Sequence, residues 1–294
     1  MKKEAIQSSP AMSAASLGIM LVISLACLIP FIIIISASFT DNAAIIQNGY
    51  SILPSVFSSY AYTYLFRNPT DIMQAYSVTI FITLVGTSLG LILITMAGYV
   101  LNRNDFRYRN HIAFFIYFTT LFSAGMIPTY MLVVMDLNLK DSLWAVILMP
   151  LLTPFNVLLM RNFMKSIPHE MIEAAKIDSA GDWKIFTRIV LPLSGPGIAT
   201  IGLFLALQYW NDWYQSMLYL SDADKFPLQL YLYNILTAQQ NLANSGEIVT
   251  TTNTMPTESI KMAMAVVATG PIILAYPFVQ KYFVKGIMIG AVKG

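Results

Sequence analysis

The chain has 294 residues, of which 56% are hydrophobic and only 11% are charged. Soluble domains carry about 25% charged residues, so this composition excludes a chain that is surrounded by water on all sides. The formal net charge of +2 and the scattered Lys and Arg residues exclude a nucleic-acid-binding surface, and the single cysteine, Cys27, excludes an intramolecular disulfide.

Six intervals without charged residues predict six membrane-spanning helices. A helix needs about 20 mostly apolar residues to cross a hydrocarbon core of about 30 Å. The predicted spans are 16–38, 77–101, 112–134, 142–160, 197–219 and 261–280. The first could be a secretory signal, but its length of about 23 apolar residues exceeds the usual signal core, and we expect it to be a non-cleaved span.

The Lys and Arg residues between the spans predict their orientation. With the N-terminus inside, 13 basic residues lie on the inner side, and the outer side holds only Arg67, Lys140, Lys225 and Lys261. This asymmetry follows the positive-inside rule for short loops. The expected organisation is an all-α membrane protein with both termini in the cytoplasm, divided into an N-terminal segment 1–15, a membrane domain 16–280 and a tail 281–294.

Glycines and arginines in and after the second span have structural explanations. Gly86 and Gly90 are spaced to let two helices approach closely, which is generic packing in a membrane. Arg103, Arg107 and Arg109 form a short basic loop, which topology and contact with lipid headgroups explain. Neither feature predicts a functional site.

The segment 161–192, between the fourth and fifth spans, is patterned as two short helices. Ser166 and Pro168 are typical of a helix start, and the acids that follow suit the positive N-terminal end of a helix. A modest apolar side is supplied by Ile172, Ala175 and Ile177.

The second helix of this segment is expected after a break at Ser179-Ala180-Gly181, with Asp182 as its N-cap and Leu191-Pro192 as its end. Its amphipathic face consists of Trp183, Ile185, Phe186, Ile189 and Val190. Such a helix-turn-helix at the cytoplasmic face could rest on lipid headgroups or dock into a groove on a partner. The small pair Ala174-Ala175 favours a protein groove, since lipid-anchoring helices carry more large apolar residues.

The fifth span contains Asp212, the only acid within a predicted span. An ionisable residue at membrane depth is a functional-site candidate. Asp212 lies among rings and hydrogen-bonding groups that suit a sugar: Gln208, Trp210, Asn211, Trp213 and Tyr214. It lies near the outer third of its helix, so it could line a substrate pathway, reach water or hold a neighbouring helix.

The outer segment 220–258 is several times longer than an ordinary connection, whose median length is about 4–6 residues. It is rich in Asn, Thr, Gln and Ser, with Thr250-Thr251-Thr252-Asn253-Thr254 as one run. A mobile loop explains this composition, but long loops in compact proteins are often functional, which favours a docking role.

The segment 161–192 carries the pattern Glu173-Ala174-Ala175, three residues, Ser179, nine residues, Ile189, one residue, Leu191-Pro192. This pattern resembles the EAA motif of permeases in bacterial ABC importers, EAA-x3-G-x9-I-x-LP. Further residues similar to those of the maltose-type branch, which takes up carbohydrates, are Asp178, Ala180, Phe186, Leu193, Pro196, Trp210-Asn211-Asp212-Trp213 and the C-terminal run 280–294. The resemblance covers nearly the whole chain from the first span.

This resemblance implies that the EAA segment is a coupling helix that docks into a cleft on a cytoplasmic ATPase. The implied coupling residues are Glu173, Ala174, Ala175, Asp178, Ser179, Ala180 and Gly181. It further implies two ATPase subunits that bind ATP and Mg, a second and different permease, and an extracytoplasmic binding protein that meets the loop 220–258. The implied function is the passage of an oligosaccharide through a bacterial inner membrane.

One position departs from the family pattern, because Ser179 stands where the usual glycine would be. Serine resists the positive φ that glycine adopts. We therefore expect the turn to differ from the family's geometry, with Gly181 supplying part of the flexibility.

An ion-coupled secondary transporter of a polar solute is the alternative function. Such a protein would favour paired ionisable residues within its spans, and only Asp212 qualifies. The sequence contains neither a G-x4-GK[ST] phosphate loop nor an HExxH motif. ATP hydrolysis is therefore expected on a separate chain, and no cofactor, metal site or enzymatic activity is expected on this one.

Overall fold

The computed structural model describes residues 10–244 and 258–274, and their regular structure is helical. In chain order the helices are α1 (Pro10–Ser38), α2 (Asn42–Asn48), α3 (Tyr60–Leu65), α4 (Pro69–Asn102), α5 (Arg109–Leu121), α6 (Met126–Met131), α7 (Leu143–Leu148), α8 (Pro154–Met164), α9 (His169–Ile177), α10 (Asp182–Ile185), α11 (Leu191–Leu193), α12 (Gly195–Trp210), α13 (Tyr214–Tyr219), α14 (Leu228–Asn244) and α15 (258–274). Five-residue π-helical turns follow α6 and α10, at Leu132–Asp136 and Phe186–Val190. The all-α prediction is confirmed for these residues.

Two helices are long and apolar enough to cross a membrane, Ala14–Ser38 of α1 and Pro69–Asn102. Two bent pairs also qualify if each is counted as one span: Arg109–Leu121 with Met126–Asp136, bent by 115°, and Asp182–Leu193 with Gly195–Trp210, bent by 77°. By length and composition the described residues therefore contain two to four candidate spans. The last predicted span, 261–280, lies only partly within them.

The third, fourth and fifth predicted spans are broken helices rather than continuous ones, and the third is interrupted at residues 122–125. Between α7 and α8 the helix is interrupted around Pro150 and Pro154, because proline has no N–H to donate and its ring clashes with the preceding turn. Between α12 and α13 the interruption lies at residues 211–213. There the Asn211 side chain donates to the carbonyl of Leu207 at 2.8 Å, an alternative to the regular helix pattern.

Glycines of α4 let this helix pack closely against its neighbours, as their spacing predicted. A Cβ atom at Gly86 would overlap the ring of Tyr209 in α12. A Cβ atom at Gly90 would lie 2.9 Å from Leu205 Cδ1, a distance that real Cβ atoms do not show. The Tyr209 hydroxyl in turn donates to the carbonyl of Ile147 at 2.7 Å, so α12 is held against both α4 and α7.

The described residues form two compact units. The first contains those of 1–69 and 235–271, and the second those of 70–234 and 272–274. In the first unit, the carboxylate of Glu258 at the start of α15 accepts a hydrogen bond from Tyr50 Oη at 2.9 Å and forms an ion pair with Lys261 at 2.7 Å. The backbone N–H of Glu258 donates to Asn42 Oδ1. These bonds join α15 to α2 and to the residues that follow it.

The apolar core of the second unit joins α4, α8, α10 and α12. Fully buried side chains from each of them meet there: Ile82, Ile94, Met160, Ile185, Ile201 and Leu205. Burying a side chain of this size contributes about 1.5–3 kcal/mol. The second helix of the segment 161–192 is thus anchored to the membrane helices by its own apolar residues.

Candidate functional site

The segment 161–192 contains the two helices that the sequence predicted, α9 and α10. We call the residues His169–Ile185 the coupling hairpin, after the role that the resemblance implies for them. The helix α9 follows Pro168, carries Glu170 in its first turn and ends at Asp178. The helical conformation after the turn continues through the π-helical residues to Leu193, so the prediction that Leu191-Pro192 ends it is wrong by one residue. Proline is accepted there because it stands in the first turn of the short helix α11.

The turn of the hairpin closes α9 with a pair of backbone hydrogen bonds. The N–H of Ser179 donates to the carbonyl of Lys176 at 3.0 Å, and the N–H of Ala180 donates to the carbonyl of Ala175 at 3.0 Å. This pairing is the Schellman motif, which requires a left-handed residue directly after the C-cap. Ser179 is that residue, with φ 55°.

Gly181 does not supply the freedom that the sequence led us to expect from it. Its φ is −67° and its ψ is 156°, which any residue can adopt. The expectation that the turn relies on Gly181 is therefore wrong. Ser179 itself takes the left-handed conformation, at a cost of about 1–2 kcal/mol that glycine would not incur.

The coupling residues named from the sequence divide into an outer and an inner set. Exposed to the surroundings are Glu173, Ala174, Asp178, Ser179 and Gly181. Ala175 and Ala180 are half-buried and pack against the core of the second unit, together with Ile172. The inner set fixes the hairpin to its own chain, and the outer set is free to contact a partner.

Two large apolar side chains of the hairpin point outward. Ile177 is 84% exposed and Trp183 is 67% exposed. The prediction that Ile177 shares a face with Ile172 is wrong, because five residues at about 100° each put the two about 140° apart on the helix. Exposed apolar groups of this size are typical of a surface that a partner covers.

Asp182 is not the N-cap of α10. Gly181 occupies the cap position without a side-chain bond, and the carboxylate of Asp182 pairs with Arg103 Nη1 at 2.8 Å. The arginine comes from the loop that follows α4. The Asp182 carboxylate binds this guanidinium, which is distant in the sequence, instead of the backbone N–H groups of its own helix. Hydrogen bonds between ionised groups are stronger than those to a neutral N–H.

A chain of ion pairs connects the loop after α4 to both helices of the hairpin. Arg103 holds Asp105 with two hydrogen bonds, at 2.9 Å from Nε and 2.6 Å from Nη2. Asp105 Oδ2 also forms an ion pair with Lys176 Nζ of α9, at 2.9 Å. These cations hold the pKa of Asp105 far below its usual range, and the carboxylates raise the pKa of Arg103. Arg103 and Asp105 are therefore both charged at any working pH.

Neutral hydrogen bonds reinforce the same junction. Asn102 Nδ2 donates to the carbonyl of Met164 at 3.1 Å, and Asn104 Nδ2 lies 3.3 Å from His169 Nε2. The sequence had explained Arg103 by topology alone and missed this junction. The nearby Asp105, an acid inside a basic loop, was the available signal.

The carboxylate of Asp212 caps α13. It accepts hydrogen bonds from the N–H of Gln215 at 3.1 Å and of Ser216 at 3.0 Å, and from the Ser216 hydroxyl at 2.7 Å. Among the described residues these bonds are local, so the structure gives Asp212 a capping role and not one of the three roles left open, which were lining a pathway, reaching water and holding a neighbouring helix. The carboxylate is satisfied within its own turn.

The other pathway residues named from the sequence surround this helix break. Gln208, Asn211, Trp213 and Tyr214 are exposed, and Trp210 is half-buried. The Tyr214 hydroxyl donates to Met126 Sδ at 2.9 Å, which joins the break at 211–213 to the break at 122–125. The Trp213 ring stacks on Tyr233 with centroids 4.7 Å apart. Irregular backbone at membrane depth is tolerated where it faces protein or a water-filled cavity.

The outer segment 220–258 begins with ordered structure rather than a mobile loop. The Asp141 carboxylate accepts hydrogen bonds from the N–H groups of Ser221 and Asp222. It also forms an ion pair with Lys225 Nζ at 2.6 Å. These bonds lower the pKa of Asp141 to about 2, with Lys225 as the main cause. The helix α14 follows. The threonine run 250–254 lies outside the described residues.

Comparisons with known proteins agree on one class. A family model described as "Binding-protein-dependent transport system inner membrane component" matches residues 90–289. The polygalacturonan/rhamnogalacturonan transport system permease protein YtcP of Bacillus subtilis (strain 168) is 42% identical over 278 residues, which cover 94% of this chain and 96% of that protein. Protein LplC of the same organism is 42% identical over 268 residues, or 91% of this chain and 90% of that one.

A solved structure shares the fold. It is a crystal structure of a bacterial ABC transporter involved in the import of the acidic polysaccharide alginate, and one of its chains matches with a TM-score of 0.77 and 32% identity. The match covers 94% of this chain and 98% of the other. The similarity therefore extends over both units and not over the hairpin alone.

Proposed function

The chain belongs to the family of binding-protein-dependent transport system inner membrane components and is a permease of an ABC sugar importer, and we propose that its cargo is an acidic oligosaccharide. YtcP belongs to a system for polygalacturonan and rhamnogalacturonan, and the solved transporter imports alginate. Polygalacturonan, rhamnogalacturonan and alginate are all polymers that carry carboxylates. As a permease the chain is not itself an enzyme.

The observation that supports an acidic cargo is the hydrogen bonding of the Asp212 carboxylate. Its oxygens accept hydrogen bonds from two N–H groups and a hydroxyl of α13, which offset part of its negative charge and leave the oxygens bound within the chain. Around it, Gln208 and Asn211 are exposed and carry amide N–H groups that can donate hydrogen bonds. A carboxylate-bearing sugar would meet amide donors here, beside a carboxylate whose oxygens are already bound within the chain.

We propose six spans with both termini in the cytoplasm, on the asymmetry of basic residues and on contacts at the two ends of α4. Near its start, Gln74 donates to the carbonyl of Asp224 at 3.0 Å, and near its end Asn102 donates to the carbonyl of Met164. These two residues lie 28 positions apart, or about 42 Å along a helix. That distance is close to the thickness of a bilayer with its headgroups, about 40–45 Å.

The polar networks of the second unit support this topology. Asp141, Asp222 and Lys225 form one network, and all three belong to segments assigned to the outer side. Arg103, Asp105, Lys176 and Asp182 form the other, and all four belong to segments assigned to the cytoplasm. No ion pair among the described residues joins an inner segment to an outer one.

The coupling hairpin is the proposed contact with a cytoplasmic ATPase that binds ATP and Mg. Its outward side carries Ile177 and Trp183 as apolar groups, Glu173 as a charged group and Ala174 as a small residue over which another backbone can pack closely. Aromatic and large apolar anchors surrounded by polar groups are the usual make-up of a binding surface. Two ATPases and a second, different permease complete the proposed complex.

A binding protein on the outer side is the proposed donor of the oligosaccharide. The outer segment offers an ordered surface to this binding protein, since the ion pair of Asp141 and Lys225 fixes the position of the chain before α14 begins.

The ion-coupled transporter is not supported. The family is that of ABC importers, and the acid on which that alternative depended is used to cap a helix.

Transport by the reconstituted complex tests the proposal. The chain would be purified with its second permease and ATPase, placed in proteoliposomes and supplied with its binding protein and a labelled oligogalacturonide. The matched control is the same oligosaccharide with its carboxyl groups chemically reduced to alcohols. ATP-dependent uptake of the acidic form alone is expected. Equal uptake of the reduced form would contradict the acidic cargo, and an absence of ATP-dependent uptake of either form would contradict the importer.

A further inference from the structure

The two helices of the coupling hairpin are attached to the rest of the second unit in different ways. In α10 and the turn after it, Ile185 and Phe186 are buried in the core. In α9 no residue is fully buried, and its apolar contacts are limited to the half-buried Ile172 and Ala175. A helix with so little buried surface is not fixed in place by packing alone.

The polar contacts of α9 make up for this weak packing. Lys176 Nζ reaches Asp105 Oδ2 at 2.9 Å from the end of the helix, and His169 Nε2 lies 3.3 Å from Asn104 Nδ2 at its start. Both partners belong to the short loop directly after α4. This loop therefore holds α9 at both ends.

Arg103 makes the same loop a link between the two helices. Its guanidinium binds Asp105, which holds α9, and Asp182, which begins α10. The side chain of Arg103 is 24% exposed, whereas Asp105 and Lys176 are 46% and 45% exposed. An isolated pair of this exposure adds little to stability, but here a bidentate Arg–carboxylate pair and two further charges form one network, which is the arrangement in which such pairs contribute.

We propose that the network Arg103–Asp105–Lys176 positions α9 on α4 and thereby converts movement of the ATPase into movement of the membrane helices. The inference rests on the proposed docking of the coupling hairpin to an ATPase. Lys176 and Asp105 act as positioning residues. Without them, α9 can follow the ATPase while α4 stays behind, and ATP is hydrolysed without transport.

The test is a comparison of ATP hydrolysed with oligogalacturonide imported, measured on the same proteoliposomes. In Lys176→Met we expect at least about a fivefold rise in ATP hydrolysed per molecule imported, the lower end of typical coupling effects. Lys176→Arg keeps the ion pair and should behave like the unmodified chain. The matched control is Lys165→Met, an exposed lysine before the hairpin without an ion pair in the described part of the chain.

Asp105→Asn separates positioning from direct contact with the ATPase, because Asp105 lies outside the hairpin. We expect the same rise as in Lys176→Met, and no further rise in the double variant, since residues of one network are not additive. Co-purification of the ATPase should be unchanged in all variants. A loss of ATPase from the Lys176→Met complex alone would overturn the inference, because Lys176 would then be a docking residue.

The inference and the proposed function fail in different ways. If the unmodified complex shows no rise in ATP hydrolysis with its loaded binding protein, the importer complex and the inference both fail. If the unmodified complex is coupled and Lys176→Met gives the same ratio as Lys165→Met, only the positioning role is overturned.

Discussion

The N–H of Ala180 donates to the carbonyl of Ala175 at 3.0 Å, across a turn in which Ser179 is left-handed. This bond ends α9 and sets the direction in which the hairpin returns to the core. It also relates the two inner residues of the hairpin, since both Ala175 and Ala180 pack against the second unit.

Replacing Ser179 by glycine should stabilise the hairpin. Glycine adopts φ 55° without the clash that a Cβ atom introduces, so we expect a gain of about 1 kcal/mol in the free energy of unfolding. The measurement is the thermal unfolding midpoint of the purified complex. Ser166→Gly is the matched control, because Ser166 is exposed and not left-handed, and it should leave the midpoint unchanged or lower it. A lower midpoint in Ser179→Gly would contradict the account of the turn.

Replacing Gly86 by alanine should disturb the packing of α4 on α12. The added methyl group would overlap the Tyr209 ring, and overpacking of this kind costs about 1–3 kcal/mol. The measurement is the yield and thermal midpoint of the purified chain. Gly18→Ala on α1 is the control, since nothing lies within 4 Å of a Cβ atom there. Equal behaviour of the two variants would show that α4 and α12 do not meet at Gly86.

A negative charge at Gln208 should hinder an acidic cargo selectively. Two unit charges about 8 Å apart repel by about 2 kcal/mol at an effective dielectric constant of 20, so Gln208→Glu should lower uptake of oligogalacturonide at least about tenfold. Gln208→Met, which removes the amide without adding charge, should have a smaller effect. A defect in Gln208→Glu no larger than that in Gln208→Met would argue against passage of an anion beside Gln208.

The ion pair of Asp141 and Lys225 should stabilise the outer segment over a defined pH range. The pKa of Asp141 is lowered to about 2 from its ordinary value near 4, so its stabilising effect is present above about pH 4 and is lost as the pH falls towards 2. The pKa of Lys225 is raised above its ordinary value of 10.5, so that effect is lost only at still higher pH.

Asp141→Asn tests this range. The difference in thermal midpoint between the unmodified chain and the variant should be constant from about pH 5 to 9 and should shrink below pH 4. Asp136→Asn, in the same part of the chain between α6 and α7 and without an ion pair in the described residues, should show no such pH dependence. A constant difference down to pH 2.5 would contradict the lowered pKa of Asp141.

The apolar runs and the EAA pattern predicted the helices and the hairpin because both are local in the sequence. The breaks inside the third, fourth and fifth spans were missed, since a charge-free run of residues looks the same whether or not a residue such as Pro150 interrupts it. The capping role of Asp212 was not among the roles that the sequence left open. Choosing it required the position of Ser216 four residues on, which is a matter of backbone geometry rather than composition.

The junction between Arg103 and the hairpin could not be predicted, because its partners are about 70 to 80 residues apart in the chain. Only the packing of α4 against α8 and α12 brings them together. The exposure of Ile177 could have been predicted from the sequence. Counting 100° per residue from Ile172 separates the two side chains, whereas reading them as one apolar group does not.

The bare surface of α1 gives the chain a built-in reporter position. None of the most apolar window of this helix is buried, and Cys27 lies on it with its thiol exposed. Because the sequence contains no second cysteine, a fluorophore or spin label added to the native protein would attach at this single place. Eleven residues separate it from Ser38, so the label would sit about 16 Å inside that end of the helix, and its emission or mobility would report whether lipid or protein surrounds α1 during transport.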